Sequence, residues 1–208
     1  MAFDLFDSAP QEGPFTVLTV CTGNICRSPL AEMLLQKALH GLPVNVRSAG
    51  TRALTGSPMT EQNQIIAEEL GVVDPTSHRA RQLTSDDLRS ADLVLALSRQ
   101  HRREVVELLP RASRTAFTLR EFARLAAAHS PNTFAQQQLQ DPGARLRATV
   151  TSIAQLRGSA LPPADPVDDD VIDPYQQPDE VYAHSAARII PAVNATAAVL
   201  RSALAQGR

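Results

Sequence analysis

One stretch decides the fold of this chain: Val20-Cys21-Thr22-Gly23-Asn24-Ile25-Cys26-Arg27-Ser28-Pro29. Residues 15–20 just before it form an apolar run rich in β-branched side chains, which predicts a buried strand. An apolar face with helical spacing follows from Pro29, a residue that suits a first helical turn, and stops at Gly41. The stretch is therefore predicted to be a loop that joins the carboxyl end of a strand to a helix.

The composition of this loop is typical of a phosphate-binding site. Gly23 and Asn24 are residue types that tolerate a left-handed backbone, and such a turn directs successive N–H groups into one concavity. The following helix adds free N–H donors and the positive end of its dipole. Arg27 can hold two phosphoryl oxygens at once with its planar guanidinium. The residues expected to bind phosphate are Thr22, Gly23, Asn24, Ile25, Cys26, Arg27 and Ser28.

Cys21 is the candidate nucleophile, because the same donors should hold it as the thiolate, the reactive form of cysteine. An inert buried thiol is the alternative for Cys21, and a surface ion pair is the alternative for Arg27. Cys21 and Cys26 also have a spacing found in zinc fingers, but a second Cys pair and a nearby His are missing from the sequence. We therefore predict no metal site.

Further along the chain, strand-like and helix-like patterns alternate. Residues 44–48, 92–97 and 114–119 read as strands, and residues 60–70 and 98–109 read as helices. In the helix at 60–70 we expect Ile65, Ile66 and Leu70 to face inward. This alternation predicts a parallel sheet with helices on both faces and a ligand site beyond the carboxyl ends of the strands.

The remaining segments are less regular. Residues 119–128 and 143–156 have helical patterns, and residues 159–170 form a loop rich in Pro and Asp. A last helix is predicted from Asp179, with an apolar face and an expected kink at Pro191. Residues 1–13 show no periodicity and are interpreted as an N-terminal tail.

Composition limits the possible functions. The chain has 208 residues, 43% apolar and 20% charged, which suits one globular domain. A net charge of −2 gives no basic field for nucleic acid, and no apolar run reaches the roughly 20 residues that cross a bilayer. We therefore expect no membrane insertion. Two cysteines in one loop cannot form a disulfide framework, so the expected location is the reducing cytoplasm.

The loop and three later motifs together resemble the low-molecular-weight protein tyrosine phosphatase family, of bacterial type. The motifs are Arg47-Ser48-Ala49-Gly50-Thr51, Ser77-His78-Arg79-Ala80-Arg81-Gln82-Leu83-Thr84 and Asp173-Pro174-Tyr175. The resemblance covers about residues 14–121 and 171–204. It implies an α/β, flavodoxin-like fold with a four-stranded parallel sheet. It also implies a single phosphatase domain over residues 14–208, in which about 122–171 is a helical and Pro/Asp-rich insertion.

The resemblance also implies a two-step mechanism without metal or other cofactor. Cys21 attacks phosphorus while Asp173 protonates the leaving group, and Asp173 then activates the water that hydrolyses the phosphocysteine. A simple turn at Asp-Pro is the alternative for Asp173. Three aspartates at 168–170 either help to keep Asp173 protonated and favour basic peptides, or form a solvated acidic loop. Activity should peak on the acidic side of neutrality.

Several residues match supporting positions of the family. Asn24, Ser28, Ser48 and His78 are expected to form a hydrogen-bond network that holds the loop, although His78 alone reads as a surface residue. Cys26 is expected either to form a protective disulfide with Cys21 or simply to pack. Leu54 and Tyr175 are the expected walls of the substrate cleft.

With Leu54 at this position, the chain resembles the bacterial family members that are associated with tyrosine kinases of exopolysaccharide export. A phosphotyrosine-containing protein, such as a bacterial tyrosine kinase, is therefore the expected partner. Ile25 also favours phosphotyrosine, since the phosphoarginine-specific branch prefers Thr there. Two alternatives are a thiol-dependent arsenate reductase, which needs further cysteines, and an inactive phosphopeptide-binding module, which would lack Cys21, Arg27 or Asp173. The side chains of Arg99, Arg102 and Arg103 are interpreted as a solvated helix face.

Overall fold

Four parallel strands form the centre of the fold in the computed structural model of the chain, which describes residues 13–130 and 139–205. They are β1 (Phe15–Cys21), β2 (Val44–Gly50), β3 (Leu93–Ala96) and β4 (Ala116–Thr118), in the spatial order β2-β1-β3-β4. Each pair is parallel. The predicted flavodoxin-like sheet is confirmed, and β1 lies between β2 and β3. The predicted tail falls, except for Gly13, outside the described residues.

Seven α-helices connect and cover the strands within the described residues. They are α1 (Arg27–Ala38), α2 (Glu61–Glu69), α3 (Ser85–Ser90), α4 (Arg99–Leu108), α5 (Leu119–Ala128), α6 (Pro142–Gln155) and α7 (Asp179–Ala205). Local sequence sets several of the starts: Ser98 caps α4, Asp141 caps α6, and Thr118 forms a capping box with Glu121 at α5. Of these seven, only the short α3 was not predicted.

Alternation along the strands divides the core between the two faces of the sheet. Phe15 and Val17 of β1 belong to the larger cluster, which also takes the apolar faces of α1, α5, α6 and α7. Leu18 and Val20 point the other way, into a smaller cluster with Leu88 of α3 and Val105 of α4. Because successive strand residues face opposite sides, both faces of β1 are buried. This confirms the prediction of helices on both sides.

One predicted helix face is wrong in part. Ile65 on α2 is 49% exposed, whereas Asn63 and Ala67 are the buried residues of this helix. Ile66 and Leu70 are partly buried against the core, as predicted. The buried stripe of α2 therefore includes a polar residue and leaves a large apolar one in solvent.

The segment after β4 joins the main core. Helices α5 and α6 form where the sequence predicts them, and Leu146, Val150 and Ile153 of α6 are buried in the larger cluster. The interpretation of about 122–171 as an insertion relative to the family stays a prediction, and residues 131–138 lie outside the described part. Helix α7 contains Pro191 on its exposed side. Within the described residues, no helix is long and apolar enough to span a bilayer.

Candidate active site

The carboxyl end of the central strand positions the candidate nucleophile. Cys21 is the last residue of β1, and α1 begins six residues later at Arg27. Within the sheet, β2 is the neighbour of β1 along one edge and β3 is its neighbour along the other edge. Ligands of open α/β sheets bind at such a topological switch point.

The loop after β1 holds its peptide groups in one orientation. The carbonyl oxygens of five successive residues, 21–25, accept hydrogen bonds from outside the loop. In order, the donors are the N–H groups of Thr51, Arg52 and Leu54, the imidazole of His78, and the N–H of Thr60, at 2.7–3.0 Å. In a planar trans peptide the N–H points away from the C=O. The N–H groups of residues 22–26 therefore point to the other side, into the cleft that the loop lines, where they can bind an anion.

Asn24 is the residue that turns this loop. Its φ is +56°, in the left-handed region, whereas Gly23 does not have a positive φ. Asn24 is fully buried, and its Nδ2 donates to Ser28 Oγ (2.9 Å) and Ser48 Oγ (2.8 Å). Its Oδ1 accepts from the backbone N–H of Arg81 (2.9 Å). The four residues expected to form the network are thus brought together, with His78 bonded to the Asn24 carbonyl.

Glu32 of α1 extends this network and was not predicted. Its carboxylate accepts a 2.5 Å hydrogen bond from Ser48 Oγ and lies 3.9 Å from His78 Nδ1. Burial raises the pKa of Glu32 and lowers the pKa of His78. Both shifts favour the neutral forms, so the network behind the loop can be held mainly by hydrogen bonds.

Ser28 lies between this network and the candidate nucleophile. Cys21 Sγ is 3.0 Å from Ser28 Oγ, and both residues are buried. Because Ser28 Oγ already accepts from Asn24 Nδ2, its own hydrogen is available to donate to the sulfur. Ser28 Oγ, in the first turn of α1, can therefore donate a hydrogen bond to Cys21 Sγ.

Cys26 has a different environment. It is 3% exposed, its Sγ lies 3.6 Å from Thr60 Oγ1, and burial raises its pKa to about 11. Such a group remains a thiol at neutral pH. Both cysteines are free in the structure, and a protective disulfide between them stays a prediction.

Arg27 and Asp173 meet although 146 positions separate them. Arg27 is 5% exposed, and its Nη2 lies 2.7 Å from Asp173 Oδ2. Its Nη1 also donates to the carbonyl of Val171 (3.2 Å). The other carboxylate oxygen of Asp173 accepts from the N–H of Tyr175 (3.2 Å), and about half of the Asp173 side chain stays exposed. The carboxylate can therefore reach a group bound in the cleft.

These side chains surround a cleft of about 160 Å³. Its base contains Cys21 and Arg27, and the expected wall residues Leu54 and Tyr175 are 44% and 43% exposed. The complete lining is Cys21, Thr22, Gly23, Ile25, Cys26, Arg27, Arg52, Leu54, Asp173 and Tyr175. Asn24 and Ser28 do not line it, which separates the predicted phosphate-binding residues into a lining set and a supporting set. Arg52 was not predicted.

Comparisons with known proteins identify the family of this chain. A family model described as low molecular weight phosphotyrosine protein phosphatase matches residues 16–156. The chain belongs to this family.

The phosphatase has relatives of two kinds. It is 42% identical to a probable low molecular weight protein-tyrosine-phosphatase, EpsP, of Ralstonia solanacearum. The 106 aligned residues cover 51% of this chain and 71% of the relative. It is 40% identical over 110 residues to a protein-arginine-phosphatase of Geobacillus stearothermophilus, covering 52% and 72%. The solved structure of the YwlE arginine phosphatase from the same organism superposes with a TM-score of 0.64 at 28% identity, over 91% of this chain and 94% of that one.

In this phosphatase a further residue of the site, His101 of α4, was not predicted. It is 3% exposed, and its Nε2 lies 2.8 Å from the hydroxyl of Thr22 in the loop. Its Nδ1 lies 2.9 Å from Ser98 Oγ. Burial, together with the charge of Arg27, lowers the pKa of His101 to about 4. A neutral imidazole thus links the loop to α4. In the sequence, the one signal for this role is that His101 falls on the buried face of an amphipathic helix pattern.

The aspartates at 168–170 do not form the solvated acidic loop of one expectation. Each of the three carboxylates lies beside an arginine. Positive charge therefore lies beside each of these carboxylates, and the other expectation, an electrostatic effect on Asp173 or on basic substrates, stays a prediction. Arg99 is one of these partners, so it is not part of a simple solvated face either. Arg102 is bonded to the carbonyl of Ala116, and of the three arginines of α4 only Arg103 fits the expected exposed face.

Proposed function

We propose that this protein hydrolyses phosphotyrosine in proteins through a phosphocysteine intermediate. Cys21 is the nucleophile, Arg27 holds the phosphoryl group, and Asp173 is the general acid and base. The observation that carries the proposal is the meeting of these three side chains in one cleft, with Arg27 Nη2 2.7 Å from Asp173 Oδ2. The outward-bonded carbonyls of residues 21–25 support it, because they leave a row of N–H groups to bind the phosphoryl oxygens.

In the first step the phosphoryl oxygens take the place of the Asp173 carboxylate on Arg27. Cys21 Sγ attacks phosphorus in line with the tyrosine oxygen, so that the S–P bond forms as the P–O bond breaks. The released Asp173, once it has taken up a proton from solvent, gives this proton to the leaving oxygen, and tyrosine departs neutral. The loop N–H groups and Arg27 stabilise the charge on the three equatorial oxygens.

In the second step a water molecule attacks the phosphocysteine. Asp173, now ionised, takes a proton from this water, the P–S bond breaks, and Ser28 Oγ is placed to stabilise the returning thiolate at 3.0 Å. Inorganic phosphate leaves with the site restored. Because the first step needs a thiolate and a protonated carboxyl together, activity should be highest on the acidic side of neutrality.

The lining of the cleft supports phosphotyrosine as the substrate. Leu54 and Tyr175 offer apolar walls to an aromatic ring, and Ile25 at the loop is 6% exposed and has no polar atom for a guanidinium. Phosphoarginine is the second candidate, because an arginine phosphatase is as similar in sequence as a tyrosine phosphatase. Arsenate reduction receives no support, since Cys21 and Cys26 are the only cysteines of the chain.

We infer that the partner is a phosphotyrosine-containing protein, with bacterial tyrosine kinases as the class that Leu54 suggests. Two free thiols, one of them needed for catalysis in this proposal, fit a reducing compartment, and the cytoplasm is therefore the location we propose.

The test is steady-state hydrolysis of two peptides of one sequence, with phosphotyrosine or phosphoarginine at the same position, under reducing conditions without added metal. We expect the phosphotyrosine peptide to have the larger kcat/KM. Cys21→Ser should abolish turnover, so any phosphate released in its presence measures the spontaneous hydrolysis of phosphoarginine. Arg103→Gln serves as the surface control. Faster turnover of phosphoarginine would support the second candidate, and an inactive parent protein would support a phosphopeptide-binding module.

A further inference from the structure

Three consecutive carboxylates just before Asp173 are each paired with a different helix. Asp168 Oδ1 lies 3.7 Å from Arg188 Nη1 on α7, Asp169 Oδ2 lies 3.1 Å from Arg124 Nη2 on α5, and Asp170 Oδ2 lies 3.1 Å from Arg99 Nη2 on α4. These helices cover both faces of the sheet. The three pairs therefore hold one short segment from three directions.

The pair nearest the site has the most contacts. Asp170 accepts from the backbone N–H of Arg99 at 2.7 Å, and the Arg99 guanidinium contacts both carboxylate oxygens. The Asp169 pair is the least solvated, with side chains 14% and 31% exposed for Asp169 and Arg124. Arg124 also donates to the carbonyl of Leu161 (2.9 Å), which holds the Pro-rich part of the loop.

Backbone contacts continue this attachment up to the candidate acid. Arg120 of α5 donates to the carbonyl of Asp168. Val171 is buried, and its N–H donates to the carbonyl of Leu97 at the end of β3 (2.9 Å). Arg27 then donates hydrogen bonds to the carbonyl of Val171 and to the carboxylate of Asp173. Once a phosphoryl group occupies Arg27, the attachments of residues 168–171 and the N–H of Tyr175 still fix the position of Asp173.

We propose that Arg99, Arg124 and Arg188 are positioning residues for the general acid, holding residues 168–170 so that Asp173 stays within reach of the leaving oxygen. This inference rests on the function proposed above. Each of these pairs keeps some contact with solvent, and ion pairs of this kind contribute little to global stability. Their loss should therefore change the placement of Asp173 more than the folding of the domain.

The dependence of rate on the leaving group distinguishes this role from a purely structural one. Phenyl phosphate has a poor leaving group that needs protonation, whereas dinitrophenyl phosphate has a leaving group that departs without it. We compare kcat/KM for both esters in the parent, in Arg124→Gln, and in the combined variant Asp168→Asn, Asp169→Asn, Asp170→Asn. Arg103→Gln is the matched control, because Arg103 is exposed and pairs with Glu107 of the same helix.

We expect kcat/KM for phenyl phosphate to fall about tenfold in the combined variant, a part of the 100- to 10,000-fold that a general acid supplies. Arg124→Gln should show a smaller loss of the same kind. For dinitrophenyl phosphate, and for both esters with Arg103→Gln, the change should stay within about twofold. Asp173→Asn, which lacks the general acid itself, should show the largest selective fall in kcat/KM for phenyl phosphate.

Two results would overturn the inference alone. One is unchanged kcat/KM for phenyl phosphate in the combined variant, and the other is an equal fall with both esters while circular dichroism shows a folded protein. In either case the parent and Asp173→Asn would still behave as proposed. If the parent hydrolyses neither ester, or if Asp173→Asn loses both equally, the proposed function fails and the inference fails with it.

Discussion

His101 is a buried imidazole whose neutral form connects the loop after β1 to α4. Four charged side chains influence it: Arg27 and Arg52 lower its pKa, and Glu104 and Asp173 raise it, while burial dominates and leaves the value at about 4. In the unfolded chain the same group takes up its proton near 6.5. Between these values the unfolded state binds more protons, so stability falls as the pH falls from 6.5 toward 4.

We therefore predict that His101 alone contributes a loss of about 3 kcal/mol in unfolding free energy between pH 7 and pH 4, at about 1.4 kcal/mol per pH unit. His101→Gln keeps a polar group for Thr22 but cannot titrate. Urea unfolding at several pH values should show a flatter profile for this variant than for the parent. The exposed His40, replaced by Gln, is the control, and a parent profile as flat as that of His101→Gln would contradict the prediction.

At the residue scale, the family resemblance predicted the network around Asn24, including partners as distant in sequence as Ser48 and His78. Asn24 and Ser28 stand inside one short motif, and their hydrogen bonds follow from the shape of that loop. His101 was missed because its partner, Thr22, is 79 positions away. A contact between two helix–loop units depends on how the strands are ordered, and no local pattern records it.

At the scale of elements, α7 contains a feature that costs stability. Pro191 lies within this 27-residue helix, on its exposed side. Proline removes one helical hydrogen bond and crowds the carbonyl four residues before it. The apolar face on both sides of it, with Ile189 and Val193 buried, keeps the helix in place.

We predict that Pro191→Ala raises the unfolding free energy by about 1–3 kcal/mol, because alanine restores the missing N–H and no buried contact is lost. Thermal unfolding should shift upward by about 2–4 °C per kcal/mol for a chain of this size. Pro110→Ala is the control, since Pro110 begins a short 3-10 helix, where the missing N–H has no helical partner. A lower melting temperature for Pro191→Ala would refute this interpretation.

Strands and long helices were predictable because their patterns repeat over many residues. The exceptions concern which side of an element is buried. Ile65 was expected inside α2 but is exposed, since α2 packs through the stripe that contains Asn63 and Ala67. Likewise Arg99 could not be told from Arg103 by sequence, because its partner Asp170 comes from a loop 71 positions later.

At the scale of the whole molecule, the two ends of the sheet have different roles. The carboxyl end carries the loop with the candidate nucleophile, whereas Asp92 marks the opposite end, just before β3. Its carboxylate contacts Arg147 Nε of α6 at 2.7 Å and accepts from the N–H of Thr16 at 2.8 Å. Asp92 is thus a buried connection between α6, β1 and β3, far along the strands from Cys21.

We predict that Asp92→Asn lowers the unfolding free energy by about 2 kcal/mol, less than for fully buried pairs because Arg147 keeps some contact with water. At a temperature where the variant is folded, its kcat should stay within about twofold of the parent. Urea unfolding and steady-state assays on the same preparation measure both. A large fall in kcat without unfolding would show that the two ends of the sheet are coupled.

Family resemblance and alternation together predicted the sheet and the position of the loop, since these depend on motifs read in order along the chain. The environment of the acid loop was not predictable in this way. Residues 168–170 meet arginines of α4, α5 and α7, and only the assembled fold brings these helices to one segment.

The central claim is that Cys21 carries the phosphoryl group during turnover. The direct measurement is rapid acid quenching of Asp173→Asn during reaction with dinitrophenyl phosphate, followed by peptide mass spectrometry. This variant still allows the first transfer to a good leaving group but slows the attack of water, so phosphocysteine should accumulate on the peptide that contains Cys21. Continued release of phosphate without any phosphorylated Cys21, in the variant and in the parent, would contradict the account.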